Sequence, residues 1–335
     1  MNLNMNRNEK IRITKAALLG QAIGDAFGVP VEFLSRKDVR LIDLHDMVGT
    51  DSKPAFFSRW GNTVPKGCWS DDTSMTIASM ASFINNHGEI DYQDQLHQFI
   101  KWWDDEEYCS FDYPFGLGGN IDAALKRYRM GCPALECGGT RIMDNGNGAL
   151  MRILPFSLYC VFHQLECKET VAITGNGSAI THGHEISRIC CFIWTEYLRS
   201  VSEKADTERA IDYIENLPYQ QWFSGEAMGA VDFIIKKRIR DLTEDDIGQT
   251  GYVVDTLYSA LFSLYHADTF ERAILNAINL GYDTDTVGAV TGAAAGIIYG
   301  TESIPARWMM DLSRKEYLED LAQQFAICIS ESGGE

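Results

Sequence analysis

The sequence has no C-x-x-C pair, and its nine cysteines are an odd number. A zinc ribbon cannot be built from that set, and neither can a fully paired disulfide framework. A reduced, cytoplasmic chain is the expectation. Cys190 and Cys191 are adjacent and cannot staple distant segments, while Cys132 and Cys137 have no further ligands nearby. Cationic residues are also short: 29 Lys and Arg stand against 47 Asp and Glu, for a net charge of -18. That balance repels phosphates and argues against a broad nucleic-acid-binding face. No apolar run reaches the ~20 residues that span a bilayer, and residues 1–10 lack the apolar stretch of a secretory signal. Strand-like alternation is scarce, and no fixed-period repeat stands out.

What remains is helical periodicity. Residues 1–13 read as a flexible polar arm, and residues 14–335 as one domain. From Thr14 onward, Ala16, Ala17, Leu18, Leu19, Ala22, Ile23, Ala26 and Phe27 cover a wide apolar face. Glycine recurs every fourth residue at Gly20, Gly24 and Gly28, and again at Gly288, Gly292, Gly296 and Gly300. Each mid-helix glycine costs about 1 kcal/mol relative to alanine. The physical return is close backbone approach, as in small-xxx-small helix pairs. The expectation is two buried helices packed tightly in the core, with each other as the candidate partner.

Acidic residues cluster at two helix starts. Ser70-Asp71-Asp72-Thr73 opens one helix, and Gly281-Tyr282-Asp283-Thr284-Asp285-Thr286 opens the glycine-rich one. Capping explains one Asp or Ser at each start. It does not explain paired acids, which repel unless a cation lies between them or both face water. Alternating Asp residues in a tight turn aim several hard oxygens at one point, as Mg²⁺ or Mn²⁺ requires. Glu32, inside an apolar run, is a further candidate. Asn145-Gly146-Asn147-Gly148 leads into an apolar helix and offers backbone N–H groups to an anion. It lacks the full G-x-G-x-x-G and a flanking strand, which excludes a dinucleotide-binding fold. The acidic motifs lie on both sides of the polar stretch 200–250 and must meet, so the chain is not divided there.

Gly24-Asp25-Ala26-Phe27-Gly28 through Glu32-Phe33, Trp69 through Met75, Gly146-Asn147-Gly148 through Met151-Arg152, Thr181-His182, and Gly281 through Gly300 together resemble the ADP-ribosylglycohydrolases. The resemblance runs from about residue 14 to residue 300, in the family's order. It implies an all-α, orthogonally packed multi-helix single domain with a binuclear Mg²⁺ or Mn²⁺ centre. Ser70, Asp71, Asp72, Asp283, Asp285 and Thr286 would be the metal ligands. Glu32 would sit beside the metals, Gly146, Asn147 and Gly148 would hold the ADP-ribose, and His182 would lie against the nucleotide or terminal ribose. Asp71, Asp72 or Glu32 could serve as base.

The implied function is removal of ADP-ribose from a modified protein side chain, with arginine as the expected acceptor. Two alternatives stand beside it. One is an immunity-type protein that binds a cognate ADP-ribosyltransferase; the other is a hydrolase of serine-linked or free ADP-ribosyl compounds. Neither a nucleic acid nor a membrane is an expected partner. One departure touches the acceptor: Gly116 stands where arginine-directed members carry Asp. Asp112 or Asp122 is the expected substitute.

Overall fold

Two glycine-rich helices, Arg7–Gly28 and Thr284–Tyr299, lie antiparallel against each other at the centre of the protein. The structure is a computed structural model that describes residues 5–52, 63–248 and 250–331. At the crossing the backbones leave no room for side chains. A Cβ on Gly20 would come within 2.1 Å of the Gly292 carbonyl oxygen, and one on Gly24 within 1.9 Å of the Gly288 oxygen. Gly28 abuts the peptide between Thr284 and Asp285 in the same way. The spacing therefore does what the sequence suggests: it joins these two helices along their length. The antiparallel match also sets the end of the first helix beside the acidic start of the second.

The first helix begins at Arg7, not Thr14, which corrects the expected arm over residues 7–13. Asn6 is the cause. Its side chain accepts from the N–H groups of Asn8 and Glu9 at 3.0 and 3.1 Å, and the Glu9 carboxylate accepts from Asn6 N–H at 2.8 Å. This capping box holds a first turn whose outer face is exposed, so no apolar period marks it. Of the stretch 35–69, which reads as irregular, residues 53–62 lie outside the described residues, and the described part contains a short helix, Arg36–Ile42.

The remaining helices wrap this pair and share its core. Asp71–Asn85 packs across the first helix, and Glu185–Glu203 is buried along most of its length. Gln21 ties three segments together: its Nε2 donates to Asp72 O, Thr76 Oγ1 and Met151 O at 3.2, 2.8 and 2.9 Å. Among the described residues there is no β-strand, and two isolated bridges, Gly139 with His182 and Gly146 with Tyr252, pin loops beside the site. The fold is thus all-α and a single domain. Among the described residues no single helix is long and apolar enough to cross a membrane. All nine cysteines are unpaired.

Candidate active site

The two acidic helix starts meet at one cleft of about 390 Å³. Its wall carries Glu32, Asp71, Asp72, Asp283 and Asp285, together with Thr286 and the turn Gly146–Asn147–Gly148. Each acid arrives on a different local device. Glu32 follows the short turn Val29–Val31 at the end of the first helix. Asp71 and Asp72 lie in the first turn of their helix, whose N-cap is Ser70. Asp283 caps the Thr284–Tyr299 helix, and Asp285 is in its first turn.

A sixth carboxylate belongs to this group and lies behind it. Asp25, fully buried, accepts from Ser70 N at 2.8 Å, Thr73 N at 3.0 Å and Thr73 Oγ1 at 2.6 Å. In the sequence it stands only as part of the Gly24-Asp25-Ala26-Phe27-Gly28 motif, with no role of its own. Its signal was there: an acid among residues that all face inward must have partners.

The carboxylates arrange as two triads. Oxygens of Asp25, Asp72 and Asp285 lie within 4.8 Å of one another, and so do oxygens of Glu32, Asp283 and Asp285. Asp285 is common to both. Burial and mutual repulsion push the carboxyl pKa values up. Asp71, Asp72 and Asp285 stand well above the ordinary range, first through burial and then through their acidic neighbours. Asp25 is raised to about 6 by burial, against the opposing pull of its hydrogen bonds. Asp283 is raised less strongly, because Asn147 donates to it. Asp72 Oδ1 is buried and meets no hydrogen-bond donor. An array of converging, uncompensated carboxylate oxygens fits hard divalent cations, and the shared Asp285 fits two of them side by side.

Several expected site residues take more particular positions. Ser70 is buried behind Asp72, its Oγ donating to Asp72 Oδ2 at 3.0 Å, and it does not line the cleft. Asn147 lines the cleft, but its side-chain amide donates to Asp283 Oδ2 at 2.7 Å and Thr256 Oγ1 at 2.9 Å. It orients a carboxylate. Its own backbone N–H is also taken, donating to Gly251 O at 3.0 Å. His182 is 2% exposed and forms the floor under Gly146 and Gly148. Asp112 and Asp122 are not among the cleft-lining residues: Asp112 is exposed, and Asp122 accepts from Lys126 Nζ at 2.6 Å. The structure therefore does not support either acid as the substitute for the residue missing at Gly116. Gly116 has φ +93°, and a Cβ on it would come within 2.1 Å of Asp71 Oδ1.

A larger hollow of about 660 Å³ opens elsewhere, beside Arg199, Arg209 and Tyr213. Its guanidinium groups are already paired with Glu196 and Glu203, at 3.1 and 2.6 Å. It brings together no array comparable to the acidic cleft.

Fold and cleft together define an all-α protein with a buried acidic centre, of a kind that fits divalent cations, beside a ligand-sized recess. Residues 6–334 match the family model described as ADP-ribosylglycohydrolase. The ADP-ribosylarginine hydrolase Tri1 of Serratia proteamaculans is 31% identical over 318 residues, covering 95% of this chain and 80% of that protein. The ADP-ribosyl-[dinitrogen reductase] glycohydrolase of Rhodospirillum rubrum is 27% identical, with coverage of 89% and 90%. A solved structure titled as an ADP-ribosylglycohydrolase-related protein complex superposes with a TM-score of 0.73 at 25% identity, covering 96% of this chain and 99% of that one. The chain belongs to the ADP-ribosylglycohydrolase family.

Proposed function

We propose that this protein hydrolyses the N-glycosidic bond between ADP-ribose and an arginine side chain, with two divalent cations, Mg²⁺ or Mn²⁺, held by the two carboxylate triads. The observation that carries the reading is the sign of the cleft. Its described lining holds five carboxylates and neither Lys nor Arg, and Asp25 adds a sixth acid behind it. Two dications leave that set net negative, which suits a guanidinium acceptor more than a neutral serine hydroxyl. The relatives named for arginine hydrolysis point the same way.

When bound, the cations would acidify a water and clamp vicinal ribose hydroxyls. Asp72 and Asp285 with Asp25 would hold one, and Glu32 and Asp283 with Asp285 the other. Asp71 stands outside both triads yet lines the cleft. In this reading it takes the proton of the attacking water. The water oxygen bonds to C1″ of the ribose while the C1″–N bond breaks. The electron pair stays on the guanidine nitrogen, which takes up a proton. Gly146 and Gly148 line the recess that would take the diphosphate, and Asn147 keeps Asp283 aimed at its cation.

The test is turnover of arginine-linked and serine-linked ADP-ribosyl proteins side by side, with Mg²⁺, with Mn²⁺ and with excess chelator. The reading expects release of ADP-ribose from arginine, lost on chelation. Cleavage of the serine linkage alone would overturn the acceptor, and full activity in chelator would overturn the metal centre.

A further inference from the structure

Arg152 is fully buried, and among the described residues no carboxylate pairs with it. Its Nη2 donates to Gly177 O at 3.1 Å and to Thr181 Oγ1 at 2.5 Å. Its Nε and Nη1 meet no acceptor, and its guanidinium lies 5.0 Å from the Phe99 ring centroid. A cation kept this deep with unanswered donors needs a reason beyond packing. Thr181 Oγ1 sits between that guanidinium and His182 Nδ1, 2.8 Å from the ring nitrogen.

The direction of each hydrogen bond follows from what the groups can do. Arginine only donates, so the Thr181 oxygen accepts from Arg152. The hydroxyl has one proton to give, and the neighbouring acceptor among the described residues is His182 Nδ1. Were Nδ1 protonated instead, Thr181 Oγ1 would receive two donors and its own buried proton would have none to meet. Nδ1 is therefore the bare nitrogen, and in the neutral ring the proton is on Nε2. That atom faces the cleft wall: a Cβ on Gly146 would lie 3.4 Å from it. The backbone that carries the ring is pinned, because His182 N donates to Ser178 O at 2.7 Å and Ser178 Oγ donates back to His182 O at 2.8 Å. Burial, then the charge of Arg152, lowers the His182 pKa to about 3, so the ring is neutral at any working pH.

We propose that Arg152 and Thr181 are positioning residues that lock His182 as its Nε2–H tautomer, giving the cleft a permanent neutral hydrogen-bond donor for an oxygen of the ADP-ribosyl group. This rests on the reading of the cleft as an ADP-ribosyl site. The oxygen belongs either to the diphosphate or to the terminal ribose, and ligands that lack one of them tell the two apart.

The tautomer is read directly in wild-type protein labelled with ¹⁵N-histidine, with His182→Gln used to assign the signal. The expected spectrum shows one protonated nitrogen, Nε2, and one bare nitrogen, Nδ1, unchanged from about pH 5 to about pH 8. Thr181→Val keeps the side-chain shape and removes the hydroxyl; Thr181→Ser keeps the hydroxyl. Calorimetry with saturating Mg²⁺ should show ADP-ribose affinity falling about 10-fold in Thr181→Val and holding within about 2-fold in Thr181→Ser. An equal loss for ADP assigns the oxygen to the diphosphate. A loss confined to ADP-ribose assigns it to the terminal ribose. A wild-type spectrum showing Nδ1–H or an imidazolium at neutral pH overturns the proposal without any variant having to fold. So does a Thr181→Val protein whose tautomer and affinity match wild type. Wild type that shows the Nε2–H tautomer but binds neither ADP-ribose nor ADP upholds the lock and overturns the reading of the cleft.

Discussion

The carboxylate of Asp25 accepts both the backbone N–H and the hydroxyl of Thr73, at 3.0 and 2.6 Å. With the bond from Ser70 N–H at 2.8 Å, it caps the Asp71–Asn85 helix from a neighbouring helix. The acid nearest the core thus anchors the segment that presents Asp71 and Asp72. Asp25→Ala strips three buried donors of their acceptor. The expected cost is about 2–4 kcal/mol in urea unfolding, since each orphaned buried donor costs about 1–3 kcal/mol and neighbours relax in part. Loss of Mg²⁺- or Mn²⁺-induced stabilisation should accompany it. A variant that unfolds and binds cations like wild type would show that Asp25 is a bystander.

The helix pair makes a second test. Gly292→Ala would gain about 1 kcal/mol of helix propensity. Its Cβ would also meet the Gly20 carbonyl oxygen at 2.1 Å, and both contacting atoms are backbone or fixed to it. Overpacking of this kind costs about 1–3 kcal/mol and moves the helices apart. The steric term wins, so melting temperature should fall. Activity should fall further than stability, because Asp283 and Asp285 ride on the displaced helix. An unchanged or raised melting temperature would contradict the packing.

In cation-free protein, the acids of the cleft bind their protons more tightly when folded than when unfolded, where Asp titrates near about 3.9. The folded state then carries more protons above that pH. By linkage its stability falls as pH rises through the window, which for Asp25 runs from about 4 to about 6. Asp71, Asp72 and Asp285, raised further, extend the window upward. Divalent cations compete with the same protons. The rise in melting temperature on adding Mg²⁺ or Mn²⁺ should therefore be small at about pH 5 and grow toward about pH 7.5. A shift that is flat with pH would mean the cations bind elsewhere.

Much of this was legible before any coordinates, where the signal was local. Four-residue glycine spacing announced the Arg7–Gly28 and Thr284–Tyr299 pair, and doubled acids at Asp71–Asp72 and Asp283–Asp285 announced the cleft. The illegible parts depend on partners far away in the chain. Asp25 finds Ser70 and Thr73 45 and 48 residues on. Asn147 finds Asp283 across 136 residues, so its amide could not be read as a carboxylate guide. The early start at Arg7 was hidden for a different reason: a capping box on an exposed turn leaves no hydrophobic period. Arg152 interrupts an apolar run, and only the fold shows it with no counter-charge among the described residues, behind Thr181 and His182.

The last prediction concerns Gly116, where restoring the family's Asp should do harm. Sequence comparison makes Gly116→Asp look like a gain of guanidinium recognition. The structure gives the position two other demands. Its φ of +93° disfavours any side chain, at a cost of about 1 kcal/mol or more, and its Cα hydrogen packs against Asp71 Oδ1. Even a methyl group would force the Asp71 carboxylate from its place, and a second carboxylate would repel it as well. Gly116→Ala should lower kcat/KM on the arginine linkage about 10-fold through displacement of Asp71 alone. Gly116→Asp should lower it at least as much, with no shift in preference between arginine and serine linkages. Thermal unfolding with and without Mg²⁺ separates a misplaced Asp71 from a failed fold, since the two triads do not include that residue and cation stabilisation should persist. Higher activity in Gly116→Asp than in Gly116→Ala would mean that the loop yields, and that an acid there reaches the acceptor after all.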